Sequence, residues 1–380
     1  MDFNYSDDQR MLWDTLDRFL TDTHDLRQRK NLLHDPAAET AFWRELAELG
    51  LIGAAFPEAL GGFSSSPADV AVVMDRFGRH LVTQPYLYTA VLCGRLLIEG
   101  LPEGLREEEI GAVIAGESHL ALAACGTHVL HSPQDTTFTA LKDGAGWRLS
   151  GRMPVVVNAD RADRLIVAAR CAGIAGEREG VSLFLIKSAA AGVSRRNFRM
   201  IDGFGAAEVA LENVPVAREN VLGTPDEGCL LLDVAFDHAT AAACAEAVGA
   251  MEYLIPATAE YARNRVQYEA PLSRFQVLQH KMADMYIQTQ TAKSMALVAV
   301  MALDGDPIER ARMVSAAKSQ VGRSGKFVGY QAVQIHGGMG VSEELDIGHH
   351  YIRLNIIDRL FGDTSFHLAR FGSLWQHRPA

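Results

Sequence analysis

The chain has 380 residues, is 48% hydrophobic and 22% charged, and carries a formal net charge of −11. That length and composition belong to a globular protein of two or three domains and exclude a disordered chain. The negative charge argues against nucleic acid or an anionic membrane as partner, because phosphate-rich surfaces demand a basic face.

From Ser6 to about Ala115 the apolar residues recur at helical spacing. Leu12, Leu16, Phe19 and Leu20 share one stripe, Trp43, Leu46, Leu49 and Leu51 a second, and Val70, Val73, Met74, Phe77 and Leu81 a third. Asp7 and Asp8 suit a helix N-terminus. Around Glu117 the pattern changes. Residues 119–125, 136–141, 147–150, 154–157, 164–169, 181–186 and 207–211 are short β-prone runs, with turn residues such as Asp143-Gly144-Ala145-Gly146 between them. Regular short strands predict a small antiparallel barrel or sandwich. After Gly228 the helical period returns, with helices expected over 227–263, 271–303 and 307–336. Asp304-Gly305-Asp306-Pro307 breaks the second from the third. Three parts follow: a helical domain over 1–115, a β domain over 116–222 and a C-terminal four-helix bundle over 223–380. The α+β class is expected.

The cysteines Cys93, Cys125, Cys171, Cys229 and Cys244 are scattered and never paired as C-x-x-C, which argues for a reducing compartment and against zinc. His336, His349, His350 and His367 form no metal pattern either, so no metal is expected. The opening residues lack the charge and apolar pattern of a signal peptide, and no uncharged apolar run reaches the roughly 20 residues of a membrane helix. A soluble, cytoplasmic protein is expected.

The most informative stretch is Gln334-Ile335-His336-Gly337-Gly338-Met339-Gly340, where a long helix runs into clustered glycines. Such a corner is either a plain helix-ending turn or a place where a ligand approaches the backbone closely. Upstream stand Arg265-Val266-Gln267-Tyr268-Glu269-Ala270-Pro271-Leu272-Ser273-Arg274-Phe275-Gln276. Near the start stand Gly50-Leu51-Ile52-Gly53 and Pro57-Glu58-Ala59-Leu60-Gly61-Gly62. In this order and at these separations the three signatures resemble the acyl-CoA dehydrogenase family of flavoproteins. The similarity covers essentially the whole chain. The run Glu246-Ala247-Val248-Gly249-Ala250-Met251-Glu252 and the Phe361-Gly362-Asp363 ending look most like the branch of the small subunit of pimeloyl-CoA dehydrogenase.

The resemblance implies FAD as cofactor, an acyl-CoA thioester as substrate and electron-transfer flavoprotein or a similar acceptor. It also implies a homotetramer, or an α2β2 heterotetramer in which unlike chains divide the base and the FAD site. Arg265 matches the cation placed on the FAD pyrophosphate, usually from a neighbouring subunit. A guanidinium suits that place because it makes bidentate, charge-assisted bonds to phosphate oxygens. Tyr268 replaces the usual Phe and could stack at the adenine end. Gln276 closes the same motif and Thr364 follows the last one. Gln334, Gly337 and Gly338 match positions that meet the adenosine across the subunit contact. A guanidinium from one protomer and a glycine corner from another are thus expected around one dinucleotide. Glu269 stands where the family has glycine, which should weaken cofactor binding unless the backbone avoids positive φ. In the β region, Val155 and Val157 replace the aromatic and threonine that flank the flavin, and Gly126-Thr127-His128 lacks the family's acidic-proline turn.

The family's base, which takes the α-proton, is a Glu at one of two places. Here those places are Gly362 and, by counting helical turns, about Ala239. Asp363, one residue displaced, is the candidate base, or else the cap of a final helix over 364–371. Asp237 and Glu246 are further carboxylates, each more in keeping with a structural or solvated role. The functions open at this point are α,β-dehydrogenation of a bulky or dicarboxylic acyl-CoA, a non-catalytic partner subunit that completes a FAD site, and a flavin reductase or monooxygenase on the same fold.

Overall fold

The computed structural model describes residues 6–63, 66–124 and 132–375. The chain divides into two compact units, one of residues 1–35, 67–83 and 240–380, the other of residues 36–66 and 84–239. Each is taken by itself.

The first, helical unit opens with α1 (Asp7–Thr23) and α2 (Leu26–His34). Ser6 with Gln9, and Asp25 with Gln28, satisfy each other's backbone N–H groups in capping boxes that fix where both helices start. In α4 (Pro67–His80) the buried Arg76 meets Asp75, lies 2.8 Å from Asp17 and sits over the Trp13 ring at 4.2 Å. The main helices are α7 (Gly228–Asn264, in this unit from Thr240 on), α8 (Gln276–Ala302), α9 (Pro307–His336), α10 (Asp346–Arg359) and α11 (Thr364–Trp375), with a short hairpin, β9 (Val266–Gln267) and β10 (Ala270–Pro271), between α7 and α8. Ala241, Ala299, Val314 and Ala317 form a small-residue core that lets these helices approach closely. The buried Glu246 of α7 bonds Arg353 of α10 through both oxygens, at 2.5 and 2.9 Å. That gives this carboxylate a structural role, since a buried charge is tolerated when paired and hydrogen-bonded.

The second unit holds α3 (Pro36–Glu48), α5 (Gly94–Gly100) and α6 (Glu103–Ile114), and an eight-stranded sheet. Its strands are β1 (Leu120–Ala123), β2 (Phe138–Asp143), β3 (Gly146–Val157), β4 (Arg164–Arg170), β5 (Val181–Lys187), β6 (Val193–Arg199), β7 (Gly205–Val216) and β8 (Val221–Leu222). They run in the order β6-β7-β3-β2-β4-β5-β8, with β1 beside β4. Phe138, Leu149, Leu165, Val167, Phe184 and Val209 fill its core.

The β region departs from the sequence reading in three ways. The sheet is mixed, because β1 and β2 share one edge of β4 and both run parallel to it. The runs at 147–150 and 154–157 are one strand, interrupted by register shifts against β7 between Leu149 and Gly151 and between Met153 and Val156. Pro154 has no N–H for a ladder and falls at the second bulge rather than ending the strand. The strand β6 carries no apolar alternation, being almost wholly exposed, and so leaves no period to read.

By length and composition α7 alone among the described helices passes for a membrane span. However, 67% of its most apolar window is buried inside the structure, as in a core helix.

Candidate functional site

Arg265 follows directly on the end of α7, its N–H donating to the Tyr261 carbonyl at 2.8 Å, and its own carbonyl accepts from Leu272 N–H at 2.9 Å. These bonds close the β9–β10 hairpin. The two residues at its tip, Tyr268 and Glu269, have φ of 54° and 63°, so both lie in the left-handed region. A two-residue turn of this kind favours glycine. The backbone therefore does not avoid positive φ at Glu269, and the glycine of the family motif has a steric reason. Exchanging Glu269→Gly is expected to raise stability by about 0.5–1 kcal/mol, the left-handed strain relieved less the extra freedom of the unfolded chain. A thermal melt checks this, and an unchanged or lower melting temperature removes the strain argument.

Tyr268 is 89% exposed, and its ring meets Phe275 edge-on at 6.3 Å. Gln276 is the first residue of α8, whose N-cap position, Phe275, offers no side-chain cap. The Gln276 and Val277 N–H groups thus have no partner among the described residues, while the Leu278 N–H donates to the Phe275 carbonyl at 2.9 Å; the exposed Arg265 guanidinium likewise pairs with no described residue. Open amides and a free guanidinium suit an anion.

At the end of α9, Gly337 takes φ +60° and its N–H caps the Gln334 carbonyl. Gln334, Gly337 and Gly338 are exposed. A Cβ added at Gly338 would meet nothing within 4 Å, whereas one at Gly340 would lie 2.7 Å from the Val333 carbonyl oxygen. The chain's own packing thus requires a glycine at 340 and not at 338, where the missing side chain leaves room for a group from outside. The His336 ring stacks on Tyr261 at 4.2 Å, and the Tyr261 hydroxyl donates to the His336 carbonyl at 3.2 Å. Tyr261, one helical turn before Arg265, thus ties the end of α7 to the glycine corner at the end of α9. Burial lowers the His336 pKa, so the ring works as a neutral stacking partner. Tyr261, Asn264 and His336 also line a cavity of about 880 Å³, with Arg27 and Lys30 on the side of α2. Neither Tyr261 nor this cavity was marked by a motif.

The third group is the turn from α10 into α11. Phe361 has φ 55° and Gly362 φ 110°. A Cβ on Gly362 would lie 2.4 Å from Phe366 Cδ1 and 2.8 Å from His367 Nε2, so no glutamate fits there without rearrangement. Asp363 is exposed, and its Oδ1 accepts the Phe366 N–H at 2.8 Å as an N-cap of α11. The Thr364 hydroxyl donates to Asp358 Oδ1 at 2.6 Å. Ala239 is fully buried and Asp237 is 1% exposed. In the sheet unit, Val155 is exposed at the bulge of β3 and Val157 is half-buried. Asn158, in the left-handed region, anchors that strand end through Nδ2 to the Leu120 carbonyl at 2.8 Å. Gly126, Thr127 and His128 lie outside the described residues. Among the described residues no group of three or more His, Cys, Asp or Glu could hold a metal ion.

The family descriptions acyl-CoA dehydrogenase, N-terminal domain, and acyl-CoA dehydrogenase, C-terminal domain, match residues 6–117 and 226–371, well over half of the chain. The chain belongs to the acyl-CoA dehydrogenase family. It is 27% identical to the glutaryl-CoA dehydrogenase of Desulfococcus multivorans, over 92% of both chains. It is 25% identical to the caffeyl-CoA reductase-Etf complex subunit CarC of Acetobacterium woodii, over 81% of this chain and 82% of that one. Among solved structures, a variant of the Tcur3481-Tcur3483 steroid ACAD matches with TM-score 0.86 and 27% identity, over 97% of this chain and 98% of that one. This family of oxidoreductases acts on CH–CH bonds with FAD. The open cradle at Gly338, the unpaired Arg265 and the uncapped start of α8 fit such a dinucleotide.

Proposed function

We propose that this chain takes part in α,β-dehydrogenation of a bulky or dicarboxylic acyl-CoA as one of two unlike subunits of an α2β2 assembly. It supplies the phosphate- and adenosine-facing residues of a FAD site while the base comes from the partner. The observation that carries this reading is Gly362. The position where the family places a base holds a glycine with positive φ and no room for a side chain, and the other position is the buried Ala239. Bound FAD would supply the hydride acceptor at the substrate's β-carbon. Arg265 would hold the pyrophosphate, Gln276 and the first amides of α8 its flank, and Gln334, Gly337, Gly338 and Tyr268 the adenosine. Thr364 would complete the set from the start of α11.

A bulky acyl group is supported by the likeness to a steroid ACAD whose name couples two components. Electron-transfer flavoprotein as acceptor is supported by the likeness to a subunit named for its Etf complex. We place the assembly in the cytoplasm, as a soluble protein.

A second reading keeps the base in this chain at Asp363, which is exposed and uses only Oδ1 in its cap. Asparagine caps helices as well as aspartate does. Asp363→Asn is therefore expected to keep both the melting temperature and the turnover of the assembled enzyme. Loss of turnover with flavin retained would give the base to Asp363. The assembly itself is tested by purifying the chain alone and with an unlike partner, then comparing visible spectra and molecular mass. A colourless chain that gains flavin with its partner supports the proposal; a yellow, active homotetramer overturns it.

A further inference from the structure

Lys318 is a fully buried lysine in the middle of α9. Its Nζ donates to the Asp358 carbonyl at 2.9 Å and to the Gly362 carbonyl at 2.6 Å, the two ends of the turn that joins α10 to α11. Other side chains tie the same turn. His367 Nε2 lies 3.1 Å from the Phe361 carbonyl. The buried Asp358 carboxylate accepts from Thr364 and pairs with Lys326 Nζ at 2.5 Å. Gly322 of α9 leaves the space these groups need, since a Cβ there would lie 2.1 Å from Asp358 Oδ1.

We propose that Lys318 is a positioning residue, which fixes the 358–364 turn and with it Thr364, assigned above to the cofactor, and its neighbour Asp363. The inference rests on the reading of Thr364 as part of a FAD site. It follows from donor geometry. Phe361 has φ 55°, a left-handed conformation that a bulky residue holds only with strain, so the turn is not one the chain keeps unaided. Two of its carbonyls face the protein interior, where an unmade hydrogen bond is costly, and one flexible donor group serves both.

Stability alone does not account for a lysine here. Burial lowers its pKa to about 8 from an ordinary 10.5, although Cys244, Asp358 and Asp363 raise it. Between those two values the unfolded chain binds the extra proton, so stability rises with pH across that window. Below pH 8 the charge therefore opposes folding. The neutral amine still carries two N–H groups, enough for both carbonyls.

The test is Lys318→Met, which keeps the shape and removes the donors, beside Lys318→Gln, which keeps N–H donors without the charge. Each is made in the full chain and co-purified with its partner. Amide hydrogen exchange over residues 359–366, read by mass spectrometry, is expected to quicken at least tenfold in Lys318→Met, while the middle of α9 keeps its protection. Affinity for added FAD, followed by flavin fluorescence, is expected to fall about fivefold, with Lys318→Gln recovering most of it. Unchanged exchange in the turn overturns the proposal. So does faster exchange with unaltered flavin affinity, which would leave Lys318 a purely structural residue. Should Lys318→Met not fold, exchange in Lys318→Gln decides: a turn as loose as an unfolded segment there, despite the retained donors, overturns the proposal. If the unaltered protein takes up no flavin in any assembly, the FAD reading fails, and the exchange result still shows whether Lys318 holds the turn.

Discussion

Replacing Arg265 by alanine is expected to leave the fold intact and to weaken flavin retention roughly ten- to a hundredfold. The loss corresponds to one charge-assisted phosphate contact, on the order of 1.5–3 kcal/mol. Intact folding follows from the surroundings of the side chain. The guanidinium is exposed and pairs with no described residue, and the hairpin is closed by backbone bonds of residue 265 that alanine also makes. Arg265→Lys keeps the charge without the bidentate geometry and should fall between the two. Flavin bound per chain after exhaustive dialysis, with melting temperature alongside, reads both effects. Unchanged flavin content rejects the role of Arg265.

The second large effect is a loss. Gly362→Glu puts back the residue type that the family carries at this position, yet it is expected to destabilise the protein by about 2–6 kcal/mol and to yield no base. Two terms add. The φ of 110° is a conformation that side chains other than glycine adopt only with strain, about 1–3 kcal/mol. The new Cβ would also overlap Phe366 and His367, and overpacking of this kind costs about 1–3 kcal/mol. His367 is itself tied to the Phe361 carbonyl, so it cannot swing away without breaking that bond. Thermal melting and acyl-CoA turnover measure the outcome. A stable variant that gains turnover would show that the turn is a base site missing only its side chain.

Much of the helical part was legible because period and punctuation agreed. The long helices α7, α8 and α9 fall within a few residues of the spans expected from apolar spacing, the Asp304–Pro307 break and the glycines at 337 and 338. The features that escaped are those with no local signal. The strand β6 is polar and exposed on an edge, so it has neither a period nor a core face. The parallel pairing of β1 and β2 with β4 depends on segments more than 30 residues apart. Within the site, Arg265, Gln334 and the glycines could be picked out because they stand in stretches that resemble the family's motifs. Tyr261 and Lys318 could not, since a tyrosine or lysine within a helix reads as ordinary surface or core until its partners are placed. The strain at Glu269 was legible as a question and needed φ to answer it.

In the proposed division of labour this chain presents a cofactor-binding face and lacks a base of its own. Anaerobic mixing of flavin-loaded protein with acyl-CoA, followed by bleaching of the flavin band, tests it most directly. Bleaching is expected only when the unlike partner is present. Bleaching by this chain alone, abolished by Asp363→Asn, would contradict it.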